Sequence, residues 1–319
     1  MQNLTLLAAL LKENVRGGVA SLVFRKTPFL NMLGEFGRVE GAGAGQEPFS
    51  WQINTSANSS VEAFAEGQAP PLSGAQVYKR PTLNALVNAR AVFGMTGHTR
   101  DNADKNGYYE AMPTLEESLT KSDVLKYGED LLWSSTQDVG VPAIIGSTGT
   151  YAGRSQGSVS SWASEENNVG GVLTIAAMEG LFEEMLSPTG GSSVPRGATP
   201  SHWLMPVNQF INYGQLAGAA GAANAAYRFR SGDKLDLSVM QNGMENGSFM
   251  GVPIRVIEGI TSTEIYLVDI YDMTLIVHRD LRTDMIASNP ENLQWQVSWR
   301  AALKVERRNH HGKLTGVTA

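Results

Sequence analysis

One short pattern in the sequence could support covalent catalysis. Gly153-Arg-Ser155-Gln-Gly157 matches the G-x-S-x-G motif of serine hydrolases. Asp269 or Asp272, followed by His278, would complete a triad in the hydrolase order. The motif requires a buried strand that runs directly into the serine and a helix that leaves it, but the nearest apolar run, 141–145, ends well before Ser155. We therefore expect Ser155 to lie in a surface loop, and a serine hydrolase built around it stays as an alternative.

No other pattern predicts a catalytic, metal or cofactor site. The sequence has no cysteine, which excludes disulfides, thiolate metal sites and cysteine nucleophiles. None of its five histidines stands at helical ligand spacing beside a carboxylate. The glycines of 41–45 lack the preceding strand and following helix of a dinucleotide-binding turn, and there is no Walker A sequence. The sequence therefore predicts a protein that is not an enzyme and has no cofactor.

The composition is that of an acidic chain with enough apolar residues for a substantial core. The chain has 319 residues, of which 42% are hydrophobic, and a formal net charge of −6. Phosphate binding needs clustered lysine and arginine, so this balance argues against a nucleic-acid-binding surface. Leu4, Leu7, Leu11 and Val15 predict an amphipathic N-terminal helix, and no segment approaches the length of a membrane span. We expect a soluble protein that stays in the cytoplasm where it is made.

Two segments far apart in the sequence have the alternating apolar and polar residues of a strand with one buried and one solvent-exposed face. Apolar and polar residues alternate over Leu83–Phe93 and again over Leu293–Glu306. Between them a long helix is predicted over about 113–137, with Pro113 in its first turn. Because the two strands have the same character, we infer that they share one sheet. The chain would leave that sheet after the long helix, build an inserted domain over about 140–259, and return.

Within the inserted domain the pattern predicts one clear helix and one edge strand. The helix covers about 172–186, with Asn167 or Asn168 as its cap. The strand is Val252–Val256, and we expect it at a sheet edge because Pro253 has no N–H to donate to a neighbouring strand.

The segment Val39–Tyr78 is the most distinctive part of the chain. It holds four glutamates and neither lysine nor arginine. Phe49–Ile53 alternates like a strand, 54–60 is a polar tip, and 61–64 reads as a returning arm. An isolated hairpin is marginally stable in water, and nothing nearby in the sequence reads as its support. We expect that support to come from another copy of the protein.

Three short motifs and the order of elements resemble a known family. Thr27-Pro-Phe-Leu-Asn-Met-Leu33 is similar to the family's "TPFL" segment, and Gly94–Asp101 resembles its polar turn before the long helix. Trp299–Gly312 resembles a closing strand of the form E-x-x-L-x-V-x-N-x-x-A-H-G, with Trp299-Arg300 in place of the usual acid and His310 in place of the alanine. The family is the major capsid proteins of tailed bacteriophages, with the Hong Kong 97-like fold.

The resemblance implies an α+β fold of named parts. These are an N-terminal arm (1–38), an extended E-loop (39–80), a P domain with a long spine helix (81–139), an inserted A domain (140–259) and a return to the P domain (260–319). The E-loop lacks the lysine that some members cross-link, so the shell would be held non-covalently.

The resemblance also implies a function and partners. The subunit would form hexamers and pentamers of an icosahedral phage head around double-stranded DNA, without sequence-specific binding and without a membrane. Portal, scaffolding and decoration proteins are the further partners, and assembly would take place in the host cytoplasm. An encapsulin-type nanocompartment shell, which has the same fold, is the alternative.

On this interpretation the candidate sites are contacts between subunits. The E-loop candidates are Glu47, Phe49, Trp51, Glu62, Phe64 and Glu66, and the basic candidates for their partners are Lys121, Lys126, Arg300, Lys304 and Arg307.

Overall fold

The computed structural model describes residues 27–42, 49–55, 77–83, 86–96, 111–134, 140–155, 162–186, 198–219, 227–228, 245–289 and 292–318, and every structural statement below concerns these residues. The predicted N-terminal amphipathic helix lies outside them. The chain divides into two units. The first contains Leu86–Leu131 and Val277–Ala301, and the second contains Pro28–Ala85, Leu132–Ile276 and Ala302–Ala319. No helix among the described residues is long and apolar enough to cross a membrane.

The helices and strands have the following bounds. The helices are α1 (Pro28–Glu35), α2 (Ala111–Leu132), α3 (Val141–Ile144), α4 (Ile175–Leu186) and α5 (Val207–Ala219). The first eight strands are β1 (Val39–Gly41), β2 (Phe49–Ser50), β3 (Ile53–Asn54), β4 (Tyr78–Lys79), β5 (Thr82–Leu83), β6 (Val87–Thr96), β7 (Thr150–Tyr151) and β8 (Arg154–Ser155). The others are β9 (Glu165–Val172), β10 (His202–Met205), β11 (Tyr227–Arg228), β12 (Glu245–Phe249), β13 (Val252–Val256), β14 (Ile265–Val268), β15 (Met273–Asn289), β16 (Asn292–Val305) and β17 (Gly312–Thr318).

The first unit joins the two alternating segments in one sheet, as the sequence predicted. β16 runs antiparallel to β6, from Asn292 opposite Thr96 to Ala301 opposite Val87, and β15 lies on the other side of β16. Along β6, Val87 and Ala89 are buried while Asn88 is exposed. The alternation follows from the two-residue period of a strand with one packed face. The chain therefore leaves this sheet and returns to it.

The long predicted helix is α2, and it ends earlier than the sequence pattern indicated. It starts at Ala111, with Pro113 in its first turn, and ends at Leu132. Thr283 on β15 donates from its hydroxyl to Glu117 on α2 at 2.6 Å, which ties the helix to the sheet.

The second unit is built on a mixed sheet. Among the described residues it has seven strands, in the order β11-β12-β13-β10-β14-β17-β9. The expectation that Val252–Val256 is an edge strand is wrong, because β13 pairs antiparallel with β12 and parallel with β10. Pro253 removes a single donor, and the pairs on either side of it, at Val252 and Ile254, remain in register.

Two helices cover this sheet and form its core. Met178, Leu181 and Met185 on α4, with Phe210 and Tyr213 on α5, are buried in one apolar cluster with residues of the sheet. The sequence extended the first of these helices back to about 172. In the structure 165–172 is β9, and α4 begins at Ile175 because the Thr174 hydroxyl accepts from the Ala177 N–H at 3.2 Å and caps it.

The last strand of the chain belongs to this second unit. β17 pairs in parallel with β9 and antiparallel with β14. The C-terminal segment from residue 292 onward thus contributes residues 292–301 of β16 to the first unit and the whole of β17 to the second.

Candidate subunit-interaction site

The hairpin predicted from the sequence is paired at its base. β2 pairs with β5 and β3 with β4, so 49–55 runs outward and 77–83 returns. The Thr55 N–H donates to the Val77 carbonyl at 2.8 Å. The returning arm was expected at 61–64, which lies outside the described residues, and the partner of the outgoing arm is 77–83 instead. Its sequence, Tyr-Lys-Arg-Pro-Thr-Leu over 78–83, has no alternating pattern that would have revealed it.

The hairpin base is supported by its own chain. The Thr82 N–H donates to the Ala152 carbonyl at 2.9 Å, and Arg154 donates from Nη2 to the Arg80 carbonyl at 3.3 Å. Phe49 and Leu83, which face each other across the pair, are 7% and 2% exposed. The expectation that another copy of the protein supports the hairpin is therefore wrong for its base, because the small β7–β8 hairpin of the same chain, remote in sequence, provides that support.

A buried stack of aromatic rings and one arginine lies beneath this base. The Arg308 guanidinium carbon is 5.3 Å from the Tyr151 ring centre and 5.0 Å from that of Trp162. Arg308 donates from Nε to the Ile144 carbonyl at 2.8 Å, while both of its terminal nitrogens are buried without a hydrogen-bond partner. Burial lowers the pKa of Arg308 to about 10. At that pKa the guanidinium stays charged at neutral pH, and the two ring faces provide its principal compensation.

Tyr151 connects this stack to the hairpin and to β16. Its hydroxyl donates to the Leu303 carbonyl and accepts from the Val305 N–H, both at 2.9 Å. Burial raises the pKa of Tyr151, so the hydroxyl stays neutral. The ring centre of Trp51 lies 6.1 Å from that of Tyr151. The sequence offers no signal for this arrangement, because 51, 151, 162 and 308 are far apart in the chain.

A cleft opens beside the hairpin base. Its volume is about 380 Å³, and it is lined by Glu40, Phe49, Ser50, Trp51, Arg80, Ile276 and Lys304. The Lys304 ammonium lies 5.8 Å from the Trp51 ring centre and 2.5 Å from a Glu306 carboxylate oxygen. Three of the sequence-predicted contact residues, Phe49, Trp51 and Lys304, are thus brought together at one place.

The other basic candidates lie elsewhere, and most have an acidic neighbour in the same chain. Lys121 lies 2.6 Å from Glu117, and Lys126 lies 3.0 Å from Asp130, each one turn away along α2. Arg307 is 3.8 Å from Asp272, and Arg300 is exposed on β16. A carboxylate from another subunit would compete with these local partners, and surface pairs of this kind are weak.

Glu47, Glu62, Phe64 and Glu66 lie outside the described residues, and their contacts stay a prediction.

Two carboxylates and a histidine form a separate buried cluster. His310 Nδ1 lies 2.6 Å from Asp272 Oδ2. Burial alone would raise the pKa of Asp272, but the short contact with His310 and the surrounding positive charge outweigh it and leave that pKa below its ordinary value. Burial raises the pKa of Asp269. From the sequence both aspartates were candidates only as partners of His278, because His310 is remote from them in the chain.

Ser155 does not stand at a nucleophile elbow. It lies exposed on β8, a two-residue strand that pairs with β7 across a tight turn at Ala152 and Gly153, whose φ angles are 49° and 70°. No longer strand among the described residues leads into it, and Asp272 of the hypothetical triad is in contact with His310. The described geometry therefore gives no support to the hydrolase alternative.

The fold is that of phage capsid proteins. The chain is similar to the protein in the cyanophage A-1(L) capsid asymmetric unit, with a TM-score of 0.72, 16% identity and 98% of each chain covered. It is similar to the capsid of cyanophage P-SCSP1u, with a TM-score of 0.57 and 10% identity over 98% of this chain and 94% of that one. The holo-SrpI encapsulin complex from Synechococcus elongatus PCC 7942 also matches, with a TM-score of 0.57 and 12% identity over 94% and 92%. No curated protein sequence matches the chain.

The family follows from the sequence as a whole. The model of the SU10 major capsid protein family matches residues 2–318, and the chain belongs to that family. It is accordingly a bacteriophage major capsid protein, a structural component of the virion that self-associates into a capsid shell.

Proposed function

We propose that this protein builds an icosahedral head with the Hong Kong 97-like architecture, as hexamers and pentamers around double-stranded DNA, in the host cytoplasm. The observation that carries the proposal is the family match over 2–318, together with a chain that leaves the β6–β16 sheet and returns to it. The parts would be the N-terminal arm (1–38), the E-loop (39–80), the P domain (81–139 and 260–319) and the A domain (140–259). Repeated identical contacts would close the lattice.

The paired hairpin supports an intersubunit role for the segment beyond it. Its base is held by hydrogen bonds to the β7–β8 hairpin, so the arms are fixed before assembly. The segment 56–76 between them carries Glu62 and Glu66 and no positive charge. We propose that this segment contacts the next subunit, and that Phe49, Trp51 and Lys304 beside the hairpin base take part in the same contact. Further basic candidates for the contact are Lys121, Lys126, Arg300 and Arg307.

An encapsulin-type shell is the second candidate, because the SrpI encapsulin fold covers 94% of this chain. The two functions differ in what the shell encloses. A phage head would enclose DNA, with portal, scaffolding and decoration proteins as partners, and an encapsulin would enclose a protein cargo. We propose no catalytic activity for the chain.

The test is electron cryomicroscopy of particles from cells that carry the gene in its natural context. We expect closed shells with five-fold and six-fold capsomers and with DNA that resists added nuclease. Shells that contain a second protein and no protected DNA would favour the encapsulin. A preparation without shells would contradict both.

A further inference from the structure

A buried point in the second unit brings together donor atoms from three residues. Asp269, Asp272 and His310 each offer one ligand atom, and these atoms all lie within 4.8 Å of one another. The three residues are 7%, 8% and 8% exposed. Clusters of acids on a surface need no explanation, but carboxylates this deeply buried must be compensated by charge or by hydrogen bonds.

The surrounding backbone holds these residues in fixed positions. Asp272 ends the 3₁₀ turn Ile270–Asp272 after β14, and His310 ends the 3₁₀ turn Arg308–His310 after β16. The Glu306 N–H donates to the Asp272 carbonyl at 3.0 Å, and the Asp269 N–H donates to His311 Nδ1 at 3.3 Å. The two turns are thus joined on either side of the cluster, which preorganises its donor atoms.

Within the protein the Asp272 carboxylate is balanced by His310 and the nearby positive charge, and Asp269 has one backbone donor. Asp272 Oδ2 and His310 Nδ1 are 2.6 Å apart, yet neither buried atom has a partner with the alignment of a hydrogen bond. Asp269 accepts from the Tyr271 N–H at 3.1 Å through Oδ1. Arg307 contributes positive charge from 3.8 Å, but its side chain is 65% exposed and that charge is screened by solvent. A cation bound by these atoms would replace the proton between Asp272 and His310, because metal ligands must be deprotonated.

We propose that Asp269, Asp272 and His310 bind a divalent metal ion, with Zn²⁺ as the best fit. One imidazole nitrogen and two carboxylate oxygens are a three-ligand set that zinc accepts, with water in the fourth position. Mg²⁺ and Ca²⁺ prefer ligand sets made only of oxygen. The ion would join the two 3₁₀ turns and stabilise the second unit. This inference is independent of the proposed shell and its contents.

The test uses the full chain, freed of metal with a chelator and then titrated with ZnCl₂ or MgCl₂ in separate experiments. For the wild type we expect one Zn²⁺ per chain by isothermal titration calorimetry and a thermal unfolding midpoint that rises by about 2 °C or more with excess Zn²⁺. Mg²⁺ should give no comparable shift. A wild-type chain without a Zn²⁺-dependent shift overturns the proposal by itself.

Variants locate the site. Asp272→Asn and His310→Gln should each weaken Zn²⁺ binding at least tenfold and abolish the thermal shift, and Asp269→Asn provides a third test if either of them fails to fold. The matched controls are Asp280→Asn and His278→Gln, which alter exposed residues of the same types on β15 and should bind Zn²⁺ like the wild type. Equal binding by the cluster variants and the wild type would place the ion elsewhere and overturn the proposal.

Discussion

Gly128 on α2 lies directly against the ring of Trp299 on β16. A Cβ atom added at Gly128 would come within 2.4 Å of the Trp299 Cζ3 atom, a distance that real side chains do not adopt. Trp299 is itself 4% exposed, so it has little room to move. Glycine weakens the helix at this position, and the close approach of helix and strand in the first unit explains why it is there.

This contact predicts that Gly128→Ala destabilises the chain despite the higher helix propensity of alanine. Overpacking of this kind costs about 1–3 kcal/mol, which urea-induced unfolding followed by circular dichroism would measure. The matched control is Gly180→Ala on α4, where an added Cβ would meet nothing within 4 Å. That variant should be stabilised by about 0.5–1 kcal/mol. If both variants are stabilised, the helix does not pack on Trp299 as described.

Glu166 predicts a pH dependence in the acid range. Its carboxylate accepts from the Ser147 N–H and hydroxyl at 2.8 Å and lies 3.3 Å from Lys313. Burial acts to raise the pKa of Glu166, but these partners outweigh it and the pKa lies below the ordinary value of 4.5. A depressed carboxyl pKa stabilises the fold above the unfolded-state value and loses that contribution as the pH falls through the folded-state value.

Glu166→Gln should therefore lower the urea midpoint at pH 7. The difference in urea midpoint between the variant and the wild type should decrease below about pH 4.5 and disappear once the Glu166 carboxyl of the folded protein is protonated. The control is Glu179→Gln on the exposed side of α4, for which we expect little change at any pH. A wild-type advantage that persists undiminished at low pH would show that the Glu166 charge is not its source.

The acidic charge of the E-loop predicts an effect on assembly. Glu62→Lys/Glu66→Lys should raise the protein concentration at which shells form, since each exposed pair contributes about 0.2–1 kcal/mol and is repeated throughout the lattice. The melting of free subunits should be nearly unchanged. Light scattering against protein concentration measures the threshold, and Glu179→Lys/Glu183→Lys on α4 controls for net charge. An unchanged threshold in the E-loop variant would mean that these glutamates serve solubility.

The sequence predicted those parts of the fold whose periodicity is regular. β6, β16 and α2 could be read from their spacing, and the pairing of β6 with β16 followed from their common character. β9 was missed because Glu165–Val172 has no apolar alternation and is held by its pairing with β17. The central position of β13 was missed because the two neighbouring strands compensate for Pro253.

The candidate site was also predicted only in part. Local alternation revealed some of its residues, and contacts between residues remote in sequence were missed. Phe49 and Trp51 were chosen from local alternation, and both lie at the hairpin base. The support of that base depends on contacts between residues remote in sequence, such as Arg308 with Tyr151, which no local pattern encodes. The same holds for His310 beside Asp272.

The central claim is that the chain assembles into shells through the segment beyond the hairpin base. The direct test is the mass of the assembled protein, by light scattering and electron microscopy, for the wild type and for a variant in which residues 56–76 are replaced by a short glycine turn from Thr55 to Val77. The account predicts closed shells for the wild type. Because the variant keeps the paired segments 49–55 and 77–83, it should be a folded species of no more than capsomer size, with unchanged circular dichroism. Wild-type protein that stays at the monomer mass of 34.3 kDa, or a variant that forms shells as readily as the wild type, would contradict it.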